Sequence, residues 1–162
     1  MIPIHVMPDT PTQAFLTALR QQGFAGEIDT SAAQRAVYAT DNSIYERPPQ
    51  AIVCPQHVAD LQVLTRLLAQ EHFRGVVVTA RGGGTGTNGQ SLTEGIVVDV
   101  SRHMHHILNI DVAKRQVRVQ AGVVKDQLNR ALKPHGLFFA PELSTSNRAT
   151  IGGMANTDDS GP

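Results

Sequence analysis

The densest run of chemically usable residues is Arg81-Gly82-Gly83-Gly84-Thr85-Gly86-Thr87-Asn88-Gly89, which places five glycines in nine positions. Glycine lets the backbone take positive φ and approach a ligand with no Cβ in the way. Consecutive N–H groups can then turn toward one anion, and Thr85, Thr87 and Asn88 add hydroxyl or amide donors. A diphosphate fits that chemistry. The spacing Gly84-x-Gly86-x-x-Gly89 formally matches the dinucleotide fingerprint. That fingerprint needs a helix after the glycines and an acid about 20 residues on, whereas here the next strand pattern begins at Gly95 and leaves no room for a helix. No Gly-Lys-Ser/Thr ending is present, so the run is not a Walker loop either. A flexible hairpin loop without a ligand is the other reading of the same residues.

Other reactive side chains read more plainly. His103, His105 and His106 follow a strand pattern without a nearby ligand cluster, which fits a solvated segment better than a metal site. Cys54, between Val53 and Pro55, reads as a small buried hydrophobe. Asp158 and Asp159 are adjacent in a polar tail, as turn or cap residues are. Arg81 has two readings, a phosphate contact or a carboxylate partner under the loop.

The elements that must position the glycine run are legible from periodicity. Thr10-Pro11 opens a helix carrying Ala14, Phe15, Ala18 and Leu19, which Gly23 stops. Ser31 and Gln34 have capping-box spacing and start a shorter helix to about Ala39, followed by a turn at 40–43. A buried strand is expected at 51–54 and a helix over about 57–72, with Val58, Leu61, Leu64 and Leu68 on one face. β-branched strands are expected at 75–79 and 95–100. The strand, helix, strand order predicts a parallel α/β unit. Residues 107–110 and 116–123 alternate as a hairpin, and a helix over about 125–135 ends at Gly136. The segment 141–162 reads as a polar tail with a second glycine cluster at Gly152-Gly153.

Composition bounds the partners. The chain has 162 residues, 14 Lys plus Arg against 14 Asp plus Glu, and 41% hydrophobic residues. Zero net charge gives no field to attract a phosphate backbone or an anionic membrane, so nucleic-acid binding is not expected. No apolar run is long enough to span a bilayer, and the start lacks a signal-peptide pattern. One cysteine excludes an internal disulfide, and a reducing cytoplasmic setting is expected.

Several motifs in order carry a resemblance: Pro49-x-Ala51-Ile52-Val53-x-Pro55, Arg81-Gly82-Gly83-Gly84-Thr85-Gly86, Val119-x-Ala121-Gly122-Val123, and Pro141 with Ile151-Gly152-Gly153 and Gly161. From Pro49 to Gly161 the chain resembles the FAD-binding domain of the vanillyl-alcohol oxidase/p-cresol methylhydroxylase (PCMH-type) superfamily. Within it, the chain is most similar to the branch of D-lactate dehydrogenase, glycolate oxidase and D-2-hydroxyglutarate dehydrogenase, in particular its large bacterial FAD/iron-sulfur members, a likeness that Thr40-Asp41-Asn42-Ser43-Ile44-Tyr45 extends. The resemblance implies an α+β PCMH-type fold, with a small parallel α/β lobe followed by the start of a second, mixed or antiparallel lobe. Residues 1–47 would form an N-terminal helical extension, and 48–162 the first, truncated portion of the FAD domain.

It further implies that Gly82, Gly83, Gly84, Thr85, Gly86, Thr87 and Asn88 hold the FAD pyrophosphate. Pro141, Ser144, Thr145, Gly152, Gly153, Thr157 and Gly161 would line the ribityl and flavin end. The chain departs from the branch at Met154 and Asp158, where Asn is usual. Tethered relatives carry His where Thr85 stands, so noncovalent FAD is expected. The implied activity is hydride transfer from a D-2-hydroxy acid to flavin, then electron exit through an iron-sulfur region to an acceptor. Catalytic residues and the iron-sulfur cluster would lie beyond residue 162. An NADPH-dependent reductase of the UDP-N-acetylenolpyruvoylglucosamine type and a nonenzymatic nucleotide-binding module are the alternatives.

Overall fold

The computed structural model describes residues 10–157. Its first lobe is built on four strands, β1 (Glu27–Asp29), β2 (Ala51–Cys54), β3 (Val78–Arg81) and β4 (Ile96–Asp99), in spatial order β1-β2-β4-β3. β2 and β3 both run parallel to β4, and β1 closes one edge antiparallel to β2. β2 and β4 are buried along their whole length, which is why 51–54 and 96–98 read as apolar runs rather than alternating ones, with buried Asp99 closing β4.

Each strand face finds a helical cover. Ala51, Val53, Ile96 and Val98 point to a core shared with α1 (Thr10–Gln21) and α3 (Val58–Leu68), through Phe15, Leu16 and Leu19 on the first and Val63, Leu64 and Leu67 on the second. Phe15 and Phe73 meet edge to face, with ring centroids 5.2 Å apart. Ile52, Cys54 and Val97 point the other way, against Tyr38 at the end of α2 (Ala32–Tyr38). Ser31 caps α2, its side chain accepting the Gln34 N–H.

The start of α3 is secured by Asp60, which is 1% exposed. Its carboxylate accepts the backbone N–H groups of Ala25, Gln56 and His57, so one side chain joins the α1–β1 connection to the β2–α3 turn. Burial alone would raise this carboxyl, but the three N–H donors and the neighbouring His57 hold it below the usual carboxylate range. A depressed folded pKa contributes stability that is complete above the unfolded value and lost as pH falls through the folded one. Asp60→Ala should therefore cost roughly 2 kcal/mol at pH 7, because it removes the acceptor shared by three partly buried N–H groups. The difference in urea midpoint between variant and wild type should shrink below about pH 4. An unchanged midpoint at pH 7 would refute this role.

The second lobe pairs β5 (Ile107–Asp111) with β6 (Gln116–Val119) as an antiparallel hairpin. α4 (Lys125–Leu132) packs Leu128 and Leu132 with Val123 onto Ile110, Val117 and Phe139. A last helix, α5 (Ile151–Thr157), returns toward the first lobe.

Several boundaries differ from expectation for identifiable reasons. α3 stops at Leu68 and a separate 3₁₀ turn, Glu71–Phe73, follows. The Val76 N–H is bonded to Phe73 O, which ties 75–76 to that turn and delays β3 to Val78. Regular β6 ends at Val119, yet the Gln120 and Gly122 N–H groups still bond His106 O at 3.0 Å and Met104 O at 2.8 Å, which carries the hairpin's register on to residue 122. α4 yields at Lys133 to a 3₁₀ turn containing Pro134, and Gly136 ends it at φ 66°. α5 formed in what reads as polar tail: its two glycines are poor helix formers, but Ile151 and Gly152 N–H bond Val123 and Ala121 carbonyls at 2.8 Å. Three-residue β1 is too short to leave a pattern.

Candidate functional site

β3 and β4 are parallel neighbours, so the glycine run between them is a crossover connection, and the hairpin reading is excluded. The run leaves the sheet at Arg81, opposite Asp99, and faces the segment that leads into α5. Between them lies a cleft of about 280 Å³. Of the residues expected at the site, Gly82, Gly83, Gly84, Thr85, Gly86 and Thr87 form one wall and Thr145, Gly153 and Thr157 belong to the other. Asn88, Pro141, Ser144 and Gly152 are not in the wall. Gly152 is instead spent on packing, since a Cβ there would lie 2.7 Å from the Ala121 Cβ. Gly161, Asp158 and Asp159 lie outside the described residues.

Sequence reasoning missed Ala80, Gln90, Ser91, Leu143, Ala149, Thr150, Met154 and Asn156, which complete the lining. Thr150 is 2% exposed and its hydroxyl accepts the Gly153 N–H. The signal for it was its place directly before Ile151-Gly152-Gly153. Met154, at a position where Asn is usual in the branch, is a buried apolar part of the wall.

The glycines divide into two kinds. A Cβ on Gly82 would collide with the Thr150 hydroxyl, and one on Gly83 with the Arg148 carbonyl, so these two let the lobes close on each other. Gly84 sits at φ 63°, and a Cβ there would lie 2.6 Å from Arg81 Nη2. Among the described residues, no acceptor receives the backbone N–H groups of residues 83–87. Unpaired donors at the wall of a cleft are expensive unless water or a ligand takes them. Among the described residues, the wall contains no Asp, Glu, His, Lys, Arg, Cys or Tyr. Such a cleft can bind an anion through backbone dipoles and hydroxyls, and none of its described side chains can take or give a proton near neutral pH.

Arg81 does not enter that wall. Its Nη2 donates to Thr40 O at 2.8 Å and its guanidinium lies 5.2 Å from the Tyr38 ring centre, while buried Nη1 has no partner. Burial holds this guanidinium below its ordinary value, against the opposing charges of Asp41 and Asp99. Tyr38 in turn donates its hydroxyl to Asp99 Oδ2 at 2.5 Å, and burial first, then this bond, raises the phenol well above its usual value. Arg81 thus props the loop from beneath, through a carbonyl and a ring rather than a carboxylate bond.

The remaining candidates are ordinary. His103 pairs with Glu27 at 2.8 Å, His105 contacts Ser101 O, and His106 contacts Gln120. No group of three potential metal ligands occurs among the described residues. Cys54 is buried, and burial pushes its thiol up to about 12. No helix among the described residues is long and apolar enough to cross a membrane.

Residues 49–162 match the family described as FAD binding domain. The chain belongs to that family. The FAD-binding fold extends to solved structures: an alkyldihydroxyacetonephosphate synthase superposes with a TM-score of 0.81 at 20% identity, covering 96% of this chain and 33% of that one. Substrate-bound p-cresol methylhydroxylase superposes at 0.68 and 18% identity, covering 96% of this chain and 30% of that one. The architecture is accordingly the α+β, PCMH-type FAD-binding fold, and the cofactor of this FAD-binding domain is FAD. Among curated proteins, D-2-hydroxyglutarate dehydrogenase of Pseudomonas putida is 64% identical over 156 residues, which are 96% of this chain and 16% of that protein. The chain therefore spans about one-sixth of that relative's length.

Proposed function

We propose that residues 48–162 serve as the first part of the FAD domain of a dehydrogenase that oxidises D-2-hydroxyglutarate or a similar D-2-hydroxy acid. The observation that carries this reading is the row of N–H groups at 83–87 with no acceptor, in a cleft whose described lining has no ionisable side chain. The cleft's volume lies just below the range of whole small-molecule sites, which suits one section of a dinucleotide, its pyrophosphate. In this reading the amides of 83–87 and the Thr85 and Thr87 hydroxyls bind the diphosphate. Thr145, Gly153 and Thr157 approach from the other wall, and Met154 keeps water from that side. FAD, when bound, supplies the two-electron acceptor, while the protein supplies placement and electrostatics. The groups that bind the substrate carboxylate and remove its hydroxyl proton come from elsewhere in the protein.

Thr85 stands where a tethering His would be, so FAD is held without a covalent bond. Acid precipitation of the whole protein should leave all flavin in the supernatant, and the native protein should reduce an artificial acceptor with D-2-hydroxyglutarate. Yellow colour in the washed pellet would overturn the noncovalent link. Absence of turnover with D-2-hydroxyglutarate and D-lactate alike would overturn the substrate class.

A further inference from the structure

We propose that the loop at 40–45, which lies ahead of the family's matched span, is a clamp that sets the shape of the glycine run, with Asp41 as its positioning residue. The inference rests on the FAD reading only for its consequence in binding; the clamp itself is a matter of contacts. The loop is closed at its base by the Arg47 N–H on Ala39 O at 2.8 Å and by an antiparallel bridge between Thr40 and Glu46. Along the glycine run it makes contacts at successive points. Arg81 donates to Thr40 O at the entry, and the Asn42 N–H donates to Gly84 O at 3.1 Å in the middle. Past the run, Ser91 Oγ donates to Asp41 Oδ2 at 2.9 Å.

Asp41 links these points. Its Oδ1 accepts the Ser43 N–H at 2.8 Å, fixing the turn that presents the Asn42 N–H, while its Oδ2 holds Ser91 on the far side of the glycines. Burial would raise this carboxyl, yet the bonds from Ser43 and Ser91 and the charge of Arg81 keep it below the usual range, so it is an anion at neutral pH. The Tyr45 ring lies against Gly89, where a Cβ would come within 3.0 Å of it. A glycine-rich run has many accessible conformations to lose, and one that must present several N–H groups at once gains most from outside support.

The test uses the whole protein with Asp41→Ala, Asp41→Asn and Tyr45→Ala. On flavin-free protein, hydrogen exchange at the bonded amides of Asn42, which donates to Gly84 O, and Asn88, which donates to Gln90 Oε1, should quicken in Asp41→Ala and Tyr45→Ala and stay near wild type in Asp41→Asn, because an amide accepts from Ser43 and bonds Ser91. In FAD titrations by flavin fluorescence, Asp41→Ala should raise Kd about tenfold, with Asp41→Asn within about twofold of wild type. Unchanged exchange in Asp41→Ala overturns the clamp whether or not FAD binds. Faster exchange with unchanged Kd confines the clamp to the loop's shape and overturns its role in binding. Failure of the wild type to take up FAD would instead strike the functional reading, with the exchange data still deciding the clamp.

Discussion

Gly84→Val in the whole protein is expected to weaken FAD binding about 100-fold while leaving the fold intact. Valine at φ 63° is a genuine outlier for a β-branched residue, and such strain costs about 3 kcal/mol at its upper end, which converts to about 100-fold. Its Cβ would also press on Arg81 Nη2 from 2.6 Å, disturbing the prop beneath the loop. The structure thus alters the reason that sequence reading gives for this glycine. Space for a ligand is one requirement, and the left-handed backbone over Arg81 is the one the fold itself imposes. Gly84→Asn separates the two costs, since Asn tolerates the left-handed region but still carries a Cβ. Equilibrium dialysis of the deflavinated variants gives the affinities, and circular dichroism reports the fold. Stoichiometric FAD copurifying with a folded Gly84→Val protein would show that residues 82–88 are not the phosphate cradle.

The second large effect concerns the 162-residue chain by itself, which should show no turnover with any D-2-hydroxy acid and hold FAD with a Kd above roughly 1 μM. The cleft offers backbone donors and hydroxyls, and its described wall has no ionisable side chain. Association carries a cost of about 4–15 kcal/mol in lost freedom whatever the number of contacts, so a partial site keeps far less than its share of the affinity. Calorimetric titration with FAD and an assay with D-2-hydroxyglutarate, D-lactate and an artificial acceptor read both claims. Submicromolar binding would mean that these residues form a complete site. Turnover would place a proton acceptor within the chain, where the described cleft shows none.

Much of the frame was legible because its signals are local. Phe15 and Leu19 recur one helical turn apart, and 51–54 and 96–98 are apolar without interruption because they are interior strands of a sheet covered on both faces. The glycine run stood out through composition alone. The residues read wrongly or not at all depend on partners far away in sequence. α5 forms through carbonyls at 121 and 123, and β1 exists only as a neighbour of β2. Gly152 looks like a cofactor glycine and packs on Ala121, while Thr150 looks like filler and lies in the wall.

The sequence by itself determined most of the secondary elements and the place of the glycine-rich loop, since periodicity, turn chemistry and glycine content act over a few residues. Only the tertiary structure decided which glycines face the cleft and which let the lobes close, that Arg81 supports the loop from below, and that 40–45 grips it from outside. Those outcomes turn on contacts between residues 41 to 68 positions apart, from Arg81 and Thr40 to Gly82 and Thr150. Local propensity carries no information about such pairs, because their geometry is fixed only when both lobes have packed.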